Sequence, residues 1–377
     1  MRALLVLLLV LPLASCAVGR GLQTAELLSN LASERLPDGV ERRANPFVVD
    51  GRTHQGDLYH PTGWRPPAAL VVVPGASPAG RDDPRLVAFA GTLAKAGFLV
   101  LVPEIPALRA LTLSSADSEI IADGLRHLEQ ARPGRFLGVV ALSYAVGPAM
   151  LAAHEPDLAD RVDALVGIGG YHDVDAVGLW FTTGWYRVPA AEVDGRAEWR
   201  RGQPNDFGKW VFLRANAGRV EDARDTMLLE EIADRRLRDG RADLSDIVPQ
   251  LGPEGQAVHA FITNRDRDRV PGLIAALPPG IRAEMRALDL SARDFGTAGP
   301  HLVLVHGRND TIIPFTESLA LAAAVRGPDG TPRTELHLVD GIGHVEAGGI
   351  TFGDALVLAE AVYSLLTLRD RSLKRLR

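Results

Sequence analysis

Three features of this sequence predict an α/β fold: a doubly wound, mostly parallel sheet with a helical cap inserted after the sixth strand. The first is a set of short apolar runs ended by glycine, proline or a charge: Ala68–Gly75, Phe98–Glu104, Arg135–Leu142, Val162–Gly170, His301–Gly307 and the more polar Glu335–Asp340. Strands covered on both faces read this way, because neither side of the pleat meets water. The second is the helical spacing of apolar residues between most of these runs, and strand and helix in alternation wind a parallel sheet. The third is one connection of about 130 residues, from Gly170 to His301, with no convincing buried strand. A loop that long without structure is uncommon in a compact domain, so the insertion must carry its own elements.

Taken in order, Phe47–Pro61 alternates around Gly51 and Gly56 and predicts a hairpin at the sheet edge. Pro84–Ala96 predicts a helix with Asp83 as N-cap and Pro84 at the first helical position, where a missing N–H costs nothing. Ser115–Ala131, Tyr144–His154, Phe315–Val325 and Thr351–Leu368 have similar periodicity. In the insertion, Val220–Gly240 is amphipathic, and Val270–Leu288 reads as two short helices broken at Pro278 and Pro279. Trp180, Trp185, Trp199 and Trp210 fall in its first part, either as packing of a helical subdomain or as an aromatic wall over a substrate.

At 377 residues and 46% hydrophobic content the chain can bury a large core, and a net charge of −6 without a long basic run argues against a nucleic-acid partner. The first residues form an export signal: Arg2 is a short positive segment and Ala3–Leu13 an apolar core too short to span a bilayer comfortably. Its end, Leu13–Cys16, resembles the lipobox of bacterial lipoproteins, which implies lipidation of Cys16, the only cysteine. A mature chain without another thiol forms no internal disulfide. Several acyl chains on Cys16 would hold the protein firmly at a membrane. With Ala17 next, the resemblance favours the outer membrane of a bacterial envelope. The expected organisation is residues 1–15 as signal, 16–45 as tether, 46–171 and 299–377 as core, and 172–298 as helical cap.

The chemistry lies where strands end, since open α/β sheets bind ligands at their carboxyl edge. Ser143 follows a strand at once and precedes a helix, so it sits on a sharp turn. Residues two before and two after such a serine must be small. Ala141 and Ala145 stand where glycine fits best, which predicts a slightly more crowded turn, and Ser143 alone reads equally as the start of a buried helix. A nucleophilic serine needs a base, and the base an orienting acid. Among ten histidines, His344 lies in a Gly-rich loop just past the last strand, and Asp310 lies just past the strand before it. His306 reads as a residue that orients the acid loop, Asp340 as a turn residue, and Glu317 and Glu346 as surface or helix-start residues. No zinc or calcium spacing and no phosphate loop is present in the sequence, so no metal or cofactor is expected.

Together, "ALSYA", "HGRNDTIIP" and "DGIGH" make the chain resemble the α/β-hydrolase superfamily from about Phe47 to the last helix, the cap apart. The resemblance implies Ser143, Asp310 and His344 as catalytic triad, with Asp173 or Asp175 as the alternative acid. It also implies an oxyanion hole formed by the backbone amides of Tyr144 and of Ala76 or Ser77. The expected activity is hydrolysis of a carboxylic ester or thioester. An acyltransferase or peptidase with the same triad, or a non-catalytic binding lipoprotein of this fold, are the alternatives.

Overall fold

The computed structural model describes residues 19–27, 35–193, 195–296, 298–327, 330–341, 343 and 352–375. Cys16, His344 and Glu346 lie outside the described residues. The described residues open with helix α1 (19–27) and continue with strands β1 (Val40–Ala44), β2 (Phe47–Val49), β3 (Arg52–His54), β4 (Gly56–Pro61) and β5 (Ala68–Val73). Next come α2 (Pro84–Lys95), β6 (Phe98–Pro103), α3 (Pro106–Arg109), α4 (Asp117–Ala131), β7 (Phe136–Leu142), α5 (Val146–Ala153) and β8 (Ala164–Ile168). The insertion holds α6 (Val174–Thr183), β9 (Trp185–Val188), β10 (Glu198–Arg201), α7 (Asp206–Asn216), α8 (Ala223–Arg238), α9 (Pro253–Thr263), α10 (Val270–Ala276) and α11 (Pro279–Leu288). The chain returns through β11 (His301–Gly307), α12 (Thr316–Ala324), β12 (Thr334–Val339) and α13 (Phe352–Arg375).

Eight strands form one sheet in the order β1-β4-β6-β5-β7-β8-β11-β12. The six apolar runs are its six parallel strands, from β6 across to β12. Alternate side chains of β5 and β7 enter opposite cores, Val71 and Val139 with α4 and α5, Val72 and Val140 with α1, α2 and α13. Both faces being covered, every residue of β5 is buried, which explains why the run has no polar alternation. The start of α2 is as expected: Asp83 accepts the Arg85 amide at 3.0 Å and Pro84 opens the helix.

Two expectations about the first strands change. Val40–Ala44 is a strand paired antiparallel with β4, so part of the stretch read as a tether belongs to the sheet. The expected edge hairpin divides: β2 and β3 make a separate two-stranded sheet, and β4 joins the large one between β1 and β6. Gly56 makes that entry possible, because a Cβ there would lie 3.0 Å from the Val102 carbonyl oxygen. Asp123, fully buried on α4, anchors the small sheet by accepting from Arg52 at 2.8 Å, with His54 at the same distance.

The insertion packs its own core from Trp210, Leu213, Leu229, Ile232, Ile262 and Leu277. The break between α10 and α11 falls at Leu277–Pro278, as the prolines predict. Its β9–β10 hairpin escapes the sequence reading because β10 is exposed along its whole length. No helix among the described residues is long and apolar enough to cross a membrane.

Candidate active site

Ser143 stands where β7 ends, and its backbone is forced into the left-handed region with φ of 58°. Among the described residues other than glycine only Asp50 and Leu111 share a positive φ. For an L-residue this costs about 1–2 kcal/mol, so the surroundings must impose it. They do: Leu142 is still extended, with φ −112° and ψ 136°, while Tyr144 and Ala145 already turn toward α5. The side chain is thereby lifted off the carboxyl edge of the sheet and is 8% exposed.

The two alanines are fully buried beside this turn. The positions that admit no side chain lie slightly further on. A Cβ at Gly147 would be 2.0 Å from the Tyr171 hydroxyl oxygen, and one at Gly170 would be 2.6 Å from Val146 Cγ1. Glycine is therefore needed where α5 meets the segment after β8.

Asp310 lies in the connection between β11 and α12, 4% exposed. Its Oδ1 accepts the amides of Ile312 at 2.7 Å and Ile313 at 2.9 Å, which orients the carboxylate. His306 sits beneath it, with Nε2 3.4 Å from Asp310 Oδ2 and 3.0 Å from the Ile313 carbonyl, and Nδ1 2.7 Å from Ser318 Oγ. Nε2 donates to the carbonyl and Nδ1 pairs with the Ser318 hydroxyl on α12, so both nitrogens are occupied. His306 thus braces that loop and is placed wrongly for a base toward Ser143.

Register puts the two residues on one edge. Leu142 pairs with Ile168, and Ile168 with Val305, so Ser143 and Asp310 follow the carboxyl ends of strands two places apart, about 10 Å laterally. Gly307 pairs with Val339, which brings the chain leading toward residue 344 to the same edge. Asp173 is engaged otherwise: its Oδ1 caps α6 by accepting the amides of Asp175 at 2.8 Å and Ala176 at 3.0 Å. Asp175 is exposed. Asp340 lies on the turn after β12, where its amide donates to Asp354.

The loop after β5 crosses Ser143 closely, since a Cβ on Gly75 would be 3.4 Å from Ser143 Cβ. In this loop the Ser77 amide donates to the Leu108 carbonyl at 3.2 Å, which commits it and leaves Ala76 as the better-placed donor. Ser143, Tyr144, Gly75 and Ala76 border a cavity of about 1350 Å³, which continues past the sheet edge to Leu27, Phe89 and Leu365 of α1, α2 and α13. The insertion roofs it with Val177, Phe181, Phe212, Phe261 and Met285. None of the insertion's four tryptophans lines it. Trp180 and Trp210 are buried in packing, as one of the two readings has it, whereas Trp185 and the exposed Trp199 flank Arg267 on the hairpin; phenylalanines supply the aromatic wall.

Glu317 lies in the first turn of α12, as the helix-start reading expects, but not at the surface. It is 5% exposed and accepts the amides of His172 at 3.0 Å and Asp173 at 2.7 Å, tying α12 to the entrance of the insertion. Burial, opposed by those two amides, pushes its carboxyl up to about 7. An acidic residue in the first turn of a helix looks like an ordinary dipole partner, and only the path of the insertion over it removes the water. Asp117, Arg219 and Glu284 stand far apart in the sequence and meet only because the cap packs on the segment leading into α4.

No protein-family model matches the chain, and no curated protein matches it in sequence. Solved structures do match. A Legionella pneumophila protein carrying a hydrolase assignment is 14% identical with a TM-score of 0.52, covering 87% of this chain and 88% of its own. A puromycin-hydrolyzing peptidase of Mycobacterium tuberculosis, 15% identical with a TM-score of 0.49 over 88% of this chain, is much longer, and this chain spans 39% of it. A lipase in its open form is 20% identical, with a TM-score of 0.47 and coverage of 88% and 99%. Strand order, the turn at Ser143 and the Legionella likeness agree: the chain has the α/β-hydrolase fold.

Proposed function

We propose that this protein is a serine hydrolase that cleaves carboxylic esters bearing a bulky apolar group. The observation that carries the reading is Ser143, held at φ 58° on the strand-to-helix turn and opening onto a largely apolar cavity. Nothing in helix formation alone demands that conformation, which exposes a nucleophile above the sheet.

In this reading Ser143 Oγ attacks the acyl carbonyl while His344 takes its proton. His344 returns the proton to the leaving alcohol, and Asp310 holds the imidazolium. The amides of Tyr144 and Ala76 stabilise the oxyanion, each worth roughly 10²–10³ in rate. Water then attacks the acyl-enzyme by the same route. The Phe181, Phe212 and Phe261 side chains favour a hydrocarbon group in the substrate by burying it. We further propose that Cys16 carries the lipid that anchors the protein in a bacterial envelope, facing the periplasm. A fatty-acid probe should label wild type and spare Cys16→Ala.

Labelling by a fluorophosphonate tests the nucleophile. Wild type should react and Ser143→Ala should not, and equal labelling of both would overturn the assignment. A p-nitrophenyl ester series then reads the acyl preference, with longer chains expected to be turned over at higher kcat/KM than acetate.

A further inference from the structure

Tyr144, the residue after the nucleophile, is held by its far end. Its ring stacks on Tyr171 with centroids 6.3 Å apart. Its hydroxyl accepts the Ser114 amide at 2.8 Å and donates to the Ser114 carbonyl at 2.9 Å. The cap straps the same segment. Asn216 bonds Leu111 and Leu113, Arg219 donates to the Leu113 carbonyl, and Glu284 accepts the Ser115 amide. Leu111 keeps a φ of 59° under that strap.

Beneath the strap lies Asp117, the first residue of α4, 3% exposed and with Oδ2 lacking any hydrogen-bond partner. The groups facing it are the Tyr144 hydroxyl, Glu284 from α11 and Arg219 from the turn after α7. We propose that Asp117 is a positioning residue of the ester-cleaving site, acting through the Tyr144 hydroxyl. This rests on the reading of Ser143 as nucleophile and of the Tyr144 amide as oxyanion donor.

The hydrogen-bond count carries the argument. A phenol has one proton and two lone pairs. With Asp117 neutral, every demand can be met: Tyr144 donates to the Ser114 carbonyl, the Ser114 amide donates to Tyr144, and the Asp117 O–H can donate to the lone pair of Tyr144 Oη that these two bonds leave. Ionised Asp117 only accepts, so it competes with the Ser114 carbonyl for the single phenolic proton. It also repels the Glu284 carboxylate that anchors the neighbouring Ser115 amide. Burial first, and then Glu284, push the Asp117 carboxyl up to about 7, against the opposing pull of Arg219 and Tyr144. Its protonated form is therefore populated at and below neutral pH, and the clamp loosens above it. An amide displaced from its oxyanion position lowers turnover more than it weakens ground-state binding.

The test is the pH profile of ester turnover in the full chain. Wild-type kcat should fall by about tenfold from about pH 6.5 to about pH 9, part of what loss of an oxyanion donor costs, with KM nearly constant. Asp117→Asn, whose amide can still donate to Tyr144 Oη, should remove that alkaline fall. Glu284→Gln, by deleting the repelling carboxylate, should lower the Asp117 pKa and move the fall to lower pH. A wild-type profile without the fall, or the same fall unmoved in Asp117→Asn and Glu284→Gln, would overturn the proposal. Glu284→Gln keeps it falsifiable should Asp117→Asn fold poorly. Fluorophosphonate labelling separates the two readings. If Ser143→Ala labels like wild type, the nucleophile reading fails. If Ser143 alone is labelled but the profiles of wild type and Asp117→Asn coincide, only the role of Asp117 fails.

Discussion

The carboxyl edge of the sheet and the cap that closes over it are built by different means. At the edge, functional groups are held by backbone: Ser143 by the forced turn after β7, and Asp310 by two successive amides. In the cap, side chains hold the contacts with the core: Asn216, Arg219 and Glu284 strap the segment from Leu111 to Ser115. Backbone geometry tolerates little displacement, whereas long side chains re-pair at modest cost. Under the proposed function, catalytic placement would belong to the sheet and shape selection to the insertion.

The sharpest way to break this contrast is Asp310→Asn. An amide at that position can still accept the Ile312 and Ile313 amides, so the fold should survive while kcat falls about 10⁴-fold, the scale seen when a triad carboxylate becomes an amide. Thermal unfolding and ester turnover on the same sample check both halves. Retained turnover would transfer the acid role elsewhere, with Asp173 then the first residue to test.

Gly147→Ala comes next. The added Cβ would fall 2.0 Å from the hydroxyl of Tyr171, which is itself buried and donates to the Leu288 carbonyl at 3.0 Å. Tyr171 borders the cavity as well, but three of its ring and hydroxyl atoms would lie within 2.7 Å of the new Cβ and its far end is tied to a cap carbonyl, so we expect a loss of about 3 kcal/mol or more by urea unfolding, at the upper end of overpacking costs. A loss below about 1 kcal/mol would mean that this edge is softer than its geometry indicates.

At the seam between the two regions stands Glu317. Its carboxyl is raised from 4.5 in the folded chain to about 7, so the folded state holds a proton that the unfolded state releases earlier. The stabilisation is complete below the unfolded pKa near 4.5 and is lost as pH rises through about 7. The shift corresponds to about 3 kcal/mol. Glu317→Gln, which still accepts the amides of His172 and Asp173, should flatten this decline in denaturation midpoints between about pH 4.5 and 8. A decline equally steep in the variant would assign it to other groups, Asp117 first.

The same contrast explains what was legible in the sequence. A strand covered on both faces must be apolar throughout, so β5, β6, β7, β8 and β11 announced themselves, and Ser143 and Asp310 could be placed by counting past their ends. Helix α6 was not read because its sequence is apolar on nearly every side, serving core, cap and cavity at once. The burial of Glu317 and Asp117 had no local signal at all, since both open helices as surface acids do. What buries them is chain more than a hundred residues distant, which no window of sequence reveals.

Gly178→Ala is the smallest effect and the fairest cap counterpart to Gly147→Ala. Both are helical glycines beside an aromatic ring. On α6, however, a Cβ would lie 3.2 Å from the Phe261 Cζ, the end of a ring that borders the open cavity. That ring can turn by a few tenths of an ångström into empty space, and alanine gains about 1 kcal/mol over glycine within a helix. The two terms nearly cancel, giving a stability change within about 1 kcal/mol, but the shifted ring narrows the cavity. The expected signature is unchanged unfolding with a reduced kcat/KM for long acyl chains relative to short ones. Destabilisation as large as that of Gly147→Ala would show that the cap is packed as rigidly as the sheet edge, and the division of labour between them would fall.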